Sequence, residues 1–160
     1  MSKAFTKEDS TAEEILVARR PPLPEGVPNY VTPRGLELLR AERQALESTR
    51  AALRGELDAA PRLMALGARL AELEQRIQSA QLVEPSAGGV VRFGSHVTLL
   101  DEAEHERRYQ IVGVDEAEPA QGKVAFSSPL ARALLGASVG DRVRLRKPGG
   151  SEELEVVAIE

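Results

Sequence analysis

The apolar positions of this chain fall into two regimes. Between residues 32 and 82 they recur at steps of three and four. Leu63, Leu66, Leu70, Leu73, Ile77 and Ala80 mark one stripe. Leu36, Leu39, Leu46, Leu53 and Leu57 mark another, with Arg43 and Arg50 at two further positions on it. A repeat near 3.5 predicts helices whose narrow apolar seam needs a partner helix. Pro61 stands between the stripes, so the nearest partner is the neighbour in sequence, and the pattern predicts a projecting antiparallel helical hairpin. Thr32 supplies an N-cap and Pro33 the first helical position, where a missing N–H costs nothing. The first helix is expected to reach about Leu57. Asp58 to Pro61 then form the reversal, with Asp58 capping a second helix that ends near Leu82. Arms of that length run about 35 Å at 1.5 Å per residue. Gly55 and Gly67 fall inside these helices, where each costs about 1 kcal/mol relative to alanine. Their placement predicts a loosened tip or a close helix approach. Arg43 and Arg50 are expected to snorkel or to pair with glutamates of the facing helix.

From Val90 the pattern changes to short apolar runs and period two, which predicts strands. Val90 to Phe93 continues into Ser95 to Leu100. Arg108 to Val114, Lys123 to Phe126, Arg142 to Leu145 and Glu153 to Ile159 follow, the last two flanking Pro148-Gly149-Gly150. Ser128 as N-cap and Pro129 at the first helical position open a short helix, and Gly136 closes it. The fold class is therefore α+β: a helical hairpin followed by a five-strand sheet with one short helix. The domain plan is a disordered leader over 1–29, the hairpin over 30–84, a linker over 85–89 and the sheet domain over 90–160. The leader follows from Pro21, Pro22, Pro24, Pro28 and a scarcity of large apolar residues. Within it, Glu13 to Arg19 could form a short helix on a partner.

Composition narrows the function. The 160 residues carry a net charge of −4, with 3% aromatic residues and no cysteine. An acidic balance argues against stand-alone nucleic-acid binding, and few aromatics argue against a base-stacking platform. Without cysteine there is no disulfide framework or Cys-based zinc site. No apolar run has the length of a membrane helix and no signal-peptide pattern is present, so a cytoplasmic protein is expected.

Candidate chemistry is sparse. His96 falls in a strand and His105 in a polar turn, neither at metal-ligand spacing. Ser127 and Ser128 have no adjacent base, and capping explains Ser128. Gly88-Gly89 and Gly149-Gly150 lack the Lys and Ser/Thr of a phosphate loop. No cofactor, no metal site and no enzyme activity of its own are expected.

The stretch Ser128-Pro129-Leu130-Ala131-Arg132-Ala133-Leu134-Leu135-Gly136 resembles the C-terminal domain of the bacterial transcript-cleavage elongation factors GreA and GreB. Phe93-Gly94, Ile111-Val112-Gly113 followed by Asp115-Glu116-Ala117, Val139-Gly140-Asp141 and Pro148-Gly149-Gly150 match in order. The residues Ser2 to Asp9, and Leu23-Pro24-Glu25-Gly26 leading to Thr32-Pro33, favour the GreB side. The resemblance covers nearly the whole chain. It implies an N-terminal antiparallel coiled coil and an FKBP-like C-terminal domain that docks on the rim of the RNA polymerase secondary channel. In that family acidic residues at the coil tip help the polymerase hold a second magnesium ion, and the polymerase then cleaves backtracked RNA. The family's tip signature, of the form G-D-x-x-E-N-A-x-Y, is missing between Thr32 and Leu82. Leu66-Gly67 resembles its beginning, but Ala68 follows where the aspartate should be, as if the acidic loop were deleted. The coil would be shorter by about 15 Å of reach.

The expectation is a monomeric, GreB-like factor that binds RNA polymerase and modulates elongation with weak or no stimulation of cleavage. Its contact with RNA or DNA would be indirect, within the elongation complex, and it would not contact a membrane. The expected docking residues are Asp115, Glu116, Ser128 and Pro129. No catalytic residue is assigned; Glu56 and Asp58 are the weak candidates, because they are the acids at the new tip. One alternative retains cleavage stimulation through those two acids. Another is a free-standing FKBP-like binding or chaperone module.

Overall fold

The structure is a computed structural model that describes residues 20–160. The reading of Glu13 to Arg19, most of the leader and the Ser2 to Asp9 match lie outside the described residues. The chain divides into two compact units. Among the described residues, one comprises 20–22 and 39–78, the other 23–38 and 79–160. This differs from a boundary at 85–89, because residues 23–38 and 79–84 belong with the sheet.

In the first unit, helix α1 (Pro33–Leu53, whose first turns lie in the other unit) is followed by helix α2 (Ala60–Ser79). Leu39 and Leu46 of α1 and Leu66, Leu70 and Leu73 of α2 are buried at the expected spacing. Ion pairs cross from helix to helix: Arg43 to Glu74 at 3.3 Å and Arg69 to Glu42 at 3.0 Å. Arg43 thus pairs as its place on the stripe suggested. Arg76 is also buried on the seam and donates to the carbonyl of Pro21.

The turn over 54–59 departs from expectation. Helix α1 stops at Leu53, and Gly55 adopts φ +87°, so this glycine terminates the helix instead of interrupting it. Asp58 adopts φ +63° and is not the cap. Ala59, 2% exposed, has the capping position, its carbonyl accepting from Leu63 N–H at 2.9 Å. Gly67 does lie inside α2, but an added Cβ would meet nothing within 4 Å, so no close helix approach requires it.

Helix α2 ends at Ser79, three residues short of Leu82. Strand β2 (Ala80–Leu82) instead pairs in parallel with strand β1 (Asn29–Val31). The main sheet contains β3 (His96–Leu100), β4 (Glu106–Val112), β5 (Lys123–Ala125), β6 (Arg142–Lys147) and β7 (Gly150–Ile159). Their spatial order is β5-β4-β3-β7-β6, with only β4 and β5 parallel. Val90 to Phe93 is not a strand; only Val90 makes an isolated bridge, to Ser138. The short helix α3 (Pro129–Leu134) packs Ala131 and Leu134 into a core with Val97, Leu99, Ile111, Leu154 and Val156. No helix among the described residues is long and apolar enough to cross a membrane.

Candidate functional site

The expected docking residues lie on two loops whose proximity is set by strand pairing. Strands β4 and β5 run in parallel with Val112 opposite Ala125, and Phe126 N–H continues the ladder to the Val112 carbonyl at 2.9 Å. Residues 113–116 and 126–129 therefore leave the sheet side by side at the same end. Asp115 is half-buried on the first loop. On the second, Ser128 caps α3, its hydroxyl accepting from Ala131 N–H at 3.2 Å, and Pro129 is exposed.

Glu116 has a different position. It is 6% exposed, and its Oε2 accepts a hydrogen bond from the Thr32 hydroxyl. Thr32 Oγ1 in turn accepts from Gly35 N–H at 2.9 Å, which is the N-cap interaction of α1. The Glu116 carboxylate thus sits at the positive end of α1, where a negative charge is favoured. Lys123 Nζ lies 3.9 Å from its other oxygen. As a direct contact for a partner Glu116 is corrected: its side chain is spent inside the domain, fastening the first turn of α1 beside the β4 loop.

The same junction explains two glycines and three aromatics. A Cβ on Gly35 would come within 2.8 Å of Glu116 Oε2, and one on Gly113 within 2.5 Å of the Tyr30 carbonyl oxygen. Strand β1 therefore crosses close over the end of β4. There Tyr30 meets Phe93 and Phe126, with ring centroids 5.6 to 5.8 Å apart. Sequence reasoning missed this cluster. The available signal was that three of only five aromatic residues in the chain occur at these positions.

The turn over 54–59 has the other two candidates. Glu56 forms an ion pair with Arg62 at 3.3 Å. Asp58 is exposed in its left-handed conformation, and beside it Leu57 is 92% exposed. Among the described residues, no group of three or more His, Asp or Glu side chains could hold a metal ion. His96 and His105 are both exposed, and His105 lies 3.4 Å from Asp101.

Residues 85–160 match the family described as "Transcription elongation factor, GreA/GreB, C-term". The transcription elongation factor GreA of Sinorhizobium medicae is 44% identical over 95 residues, covering 58% of this chain. This match spans 60% of that relative's length, less than two thirds of it. GreA of Brucella canis is 38% identical over 149 residues, covering 81% of this chain and 95% of the relative. That alignment is longer than the part of this chain it uses, so about 19 positions of it have no residue here. Among solved structures, GreA factor homolog 1 of Thermus thermophilus is 28% identical, covering 82% of this chain and 97% of its own, with a TM-score of 0.42. A GreA/GreB factor from Nitrosomonas europaea is 22% identical, covering 81% and 97%, also with a TM-score of 0.42. With a GreA relative aligned over four fifths of it, the chain belongs to the GreA/GreB family of transcription elongation factors.

Proposed function

We propose that this chain is an accessory factor of RNA polymerase that docks at the rim of the secondary channel and modulates elongation with little or no stimulation of transcript cleavage. In this reading α1 and α2 are the family's coiled coil, and the sheet of the second unit is its FKBP-like docking domain. Asp115, Ser128 and Pro129, on the paired loops after β4 and β5, make the docking contact. The GreB-like features rest on residues 2–9 and 23–26, whereas the relatives described above carry the GreA name.

The observation that carries the reading is the chemistry of the hairpin turn. Completing a weakly held metal site takes carboxylates free to coordinate. Here Glu56 is engaged by Arg62, and Asp58 is the remaining acid of the turn. These residues do not fit a divalent-ion site, so no cleavage step is derived through one.

The test uses arrested elongation complexes with purified polymerase. The protein is expected to bind while leaving the cleavage rate within about twofold of the factor-free rate, well under 1 kcal/mol of barrier. Stimulated cleavage that disappears in Asp58→Asn would overturn the proposal. Asparagine is the right replacement because it tolerates the left-handed backbone at this position while removing the charge.

A further inference from the structure

Strand β6 is an edge of the main sheet, and it is unusually basic for a chain of net charge −4. Its residues are Arg142, Val143, Arg144, Leu145, Arg146 and Lys147. Val143 and Leu145 turn toward the core, so the three arginines share the opposite face. Arg142 pairs with Glu153 at 3.3 Å, and Lys147 pairs with Glu152. Arg144 and Arg146 are exposed and have no carboxylate within ion-pair distance among the described residues.

Among the described residues, the outer backbone edge of the same strand pairs with no other strand. The Asp141 carbonyl accepts from Val156 N–H at 2.9 Å, and the antiparallel register then runs from Arg142 opposite Glu155 to Lys147 opposite Gly150. Bonded and non-bonded pairs alternate along such a ladder. Asp141, Val143, Leu145 and Lys147 therefore bond to β7, while Arg142, Arg144 and Arg146 direct their N–H and C=O groups outward. The backbone groups able to accept a new strand thus belong to the residues that carry the positive charge.

We propose that the free edge of β6 receives an extended acidic peptide segment, which adds to the sheet as a sixth strand. Main-chain hydrogen bonds supply the affinity of such an addition, and side chains at alternate positions supply its specificity. Acidic residues at every second position of the guest would face Arg142, Arg144 and Arg146, and apolar residues between them would follow Val143 and Leu145. A second copy of this chain is disfavoured as the guest, because pairing β6 with itself would set arginines against arginines across the new ladder. A nucleic acid would use the charge but leave the outward row of amides and carbonyls without matched partners. The surface differs from the loops after β4 and β5, and the proposal does not depend on their function.

The experiment titrates the protein with a fluorescent peptide of alternating glutamate and valine at low salt. The comparisons are a peptide of the same composition with its glutamates in one block, and an oligonucleotide of equal charge. Binding of the alternating peptide is expected, with affinity at least about tenfold lower in Arg144→Glu/Arg146→Glu. Arg144→Pro removes an outward N–H but no bond to β7, a placement an edge strand accepts; it should abolish binding while the circular dichroism spectrum is kept. In the unaltered protein, amide exchange at Arg144 and Arg146 should slow when peptide is added. Equal binding of the block peptide, full competition by the oligonucleotide, or unchanged exchange at those amides would overturn the proposal. In those cases the charges act only to keep a bare edge from aggregating.

Discussion

Glu116 is the residue whose role changes most between sequence and structure. Beside Asp115 it reads as part of an exposed acidic pair, but its carboxylate is buried and receives the Thr32 hydroxyl. A hydrogen bond to a charged, buried acceptor contributes about 1.5–3 kcal/mol. Glu116→Ala should therefore lower the urea-unfolding free energy of the sheet domain by about 2 kcal/mol. Glu116→Gln, which keeps an acceptor for Thr32, should lose less. The neighbouring glycines give a second, ranked expectation. Gly113→Ala drives a methyl to 2.5 Å from a backbone carbonyl, whereas Gly35→Ala drives one to 2.8 Å from the end of the flexible Glu116 side chain. Overpacking costs about 1–3 kcal/mol, and it is highest where the neighbour cannot move. Thermal melts should rank Gly113→Ala below Gly35→Ala, and the reverse order would mean that β1 shifts more easily than Glu116. None of this was legible locally, because Thr32 and Glu116 are 84 positions apart.

The elements divide into those specified by local chemistry and those specified from a distance. The starts of α1 and α3 were legible because Thr32-Pro33 and Ser128-Pro129 carry the cap and the initiating proline in adjacent positions. Strand β2 was not, since Ala80 continues the helical phase of α2 and residues 80–82 become a strand only by pairing with β1, some fifty residues earlier. The turn was partly legible: a reversal was expected over 58–61 but lies over 54–59, because Gly55 ends α1, and Asp58 adopts a conformation usual for glycine. Asp58→Gly should raise the stability of the first unit by a few tenths of a kcal/mol, relief in the folded state being partly offset by a freer unfolded chain. Asp58→Ala should lower it by about 1 kcal/mol. The first unit also has an acid-sensitive contact. Burial alone would raise the Glu42 carboxyl, but the hydrogen bonds and charges of Arg20 and Arg69 outweigh it and leave Glu42 below its ordinary 4.5. A lowered folded value stabilises above the ordinary one, and that contribution disappears as pH falls through the folded value. Glu42→Gln should therefore destabilise by less than about 1 kcal/mol at neutral pH and flatten the acid dependence, as measured by urea midpoints on both sides of that range.

At the scale of the whole molecule, the proposed function separates binding from catalysis, since the first is assigned to the sheet unit and the second would belong to the turn over 54–59. The loops after β4 and β5 keep Asp115, Ser128 and Pro129 side by side because the two strands are parallel, an adjacency no local pattern encodes. The turn over 54–59 keeps the reversal but pairs one of its two acids with Arg62. A factor built this way should compete with a cleavage-active relative instead of adding to it. Two ligands for one rim site exclude each other by mass action, so the relative's apparent affinity should fall in proportion to the concentration of this protein over its own dissociation constant. The measurement is cleavage of arrested transcripts at a fixed, subsaturating amount of the relative. Cleavage should fall as this protein is added and recover when more relative is supplied. Asp115→Arg/Pro129→Ala, which alters the proposed docking loops but not the turn over 54–59, should shift the inhibition to about tenfold higher concentration, a loss of about 1.4 kcal/mol in binding. Inhibition that survives that double change would place the contact elsewhere on the molecule. No inhibition at saturating concentration, with polymerase binding verified, would mean that the two factors occupy different sites.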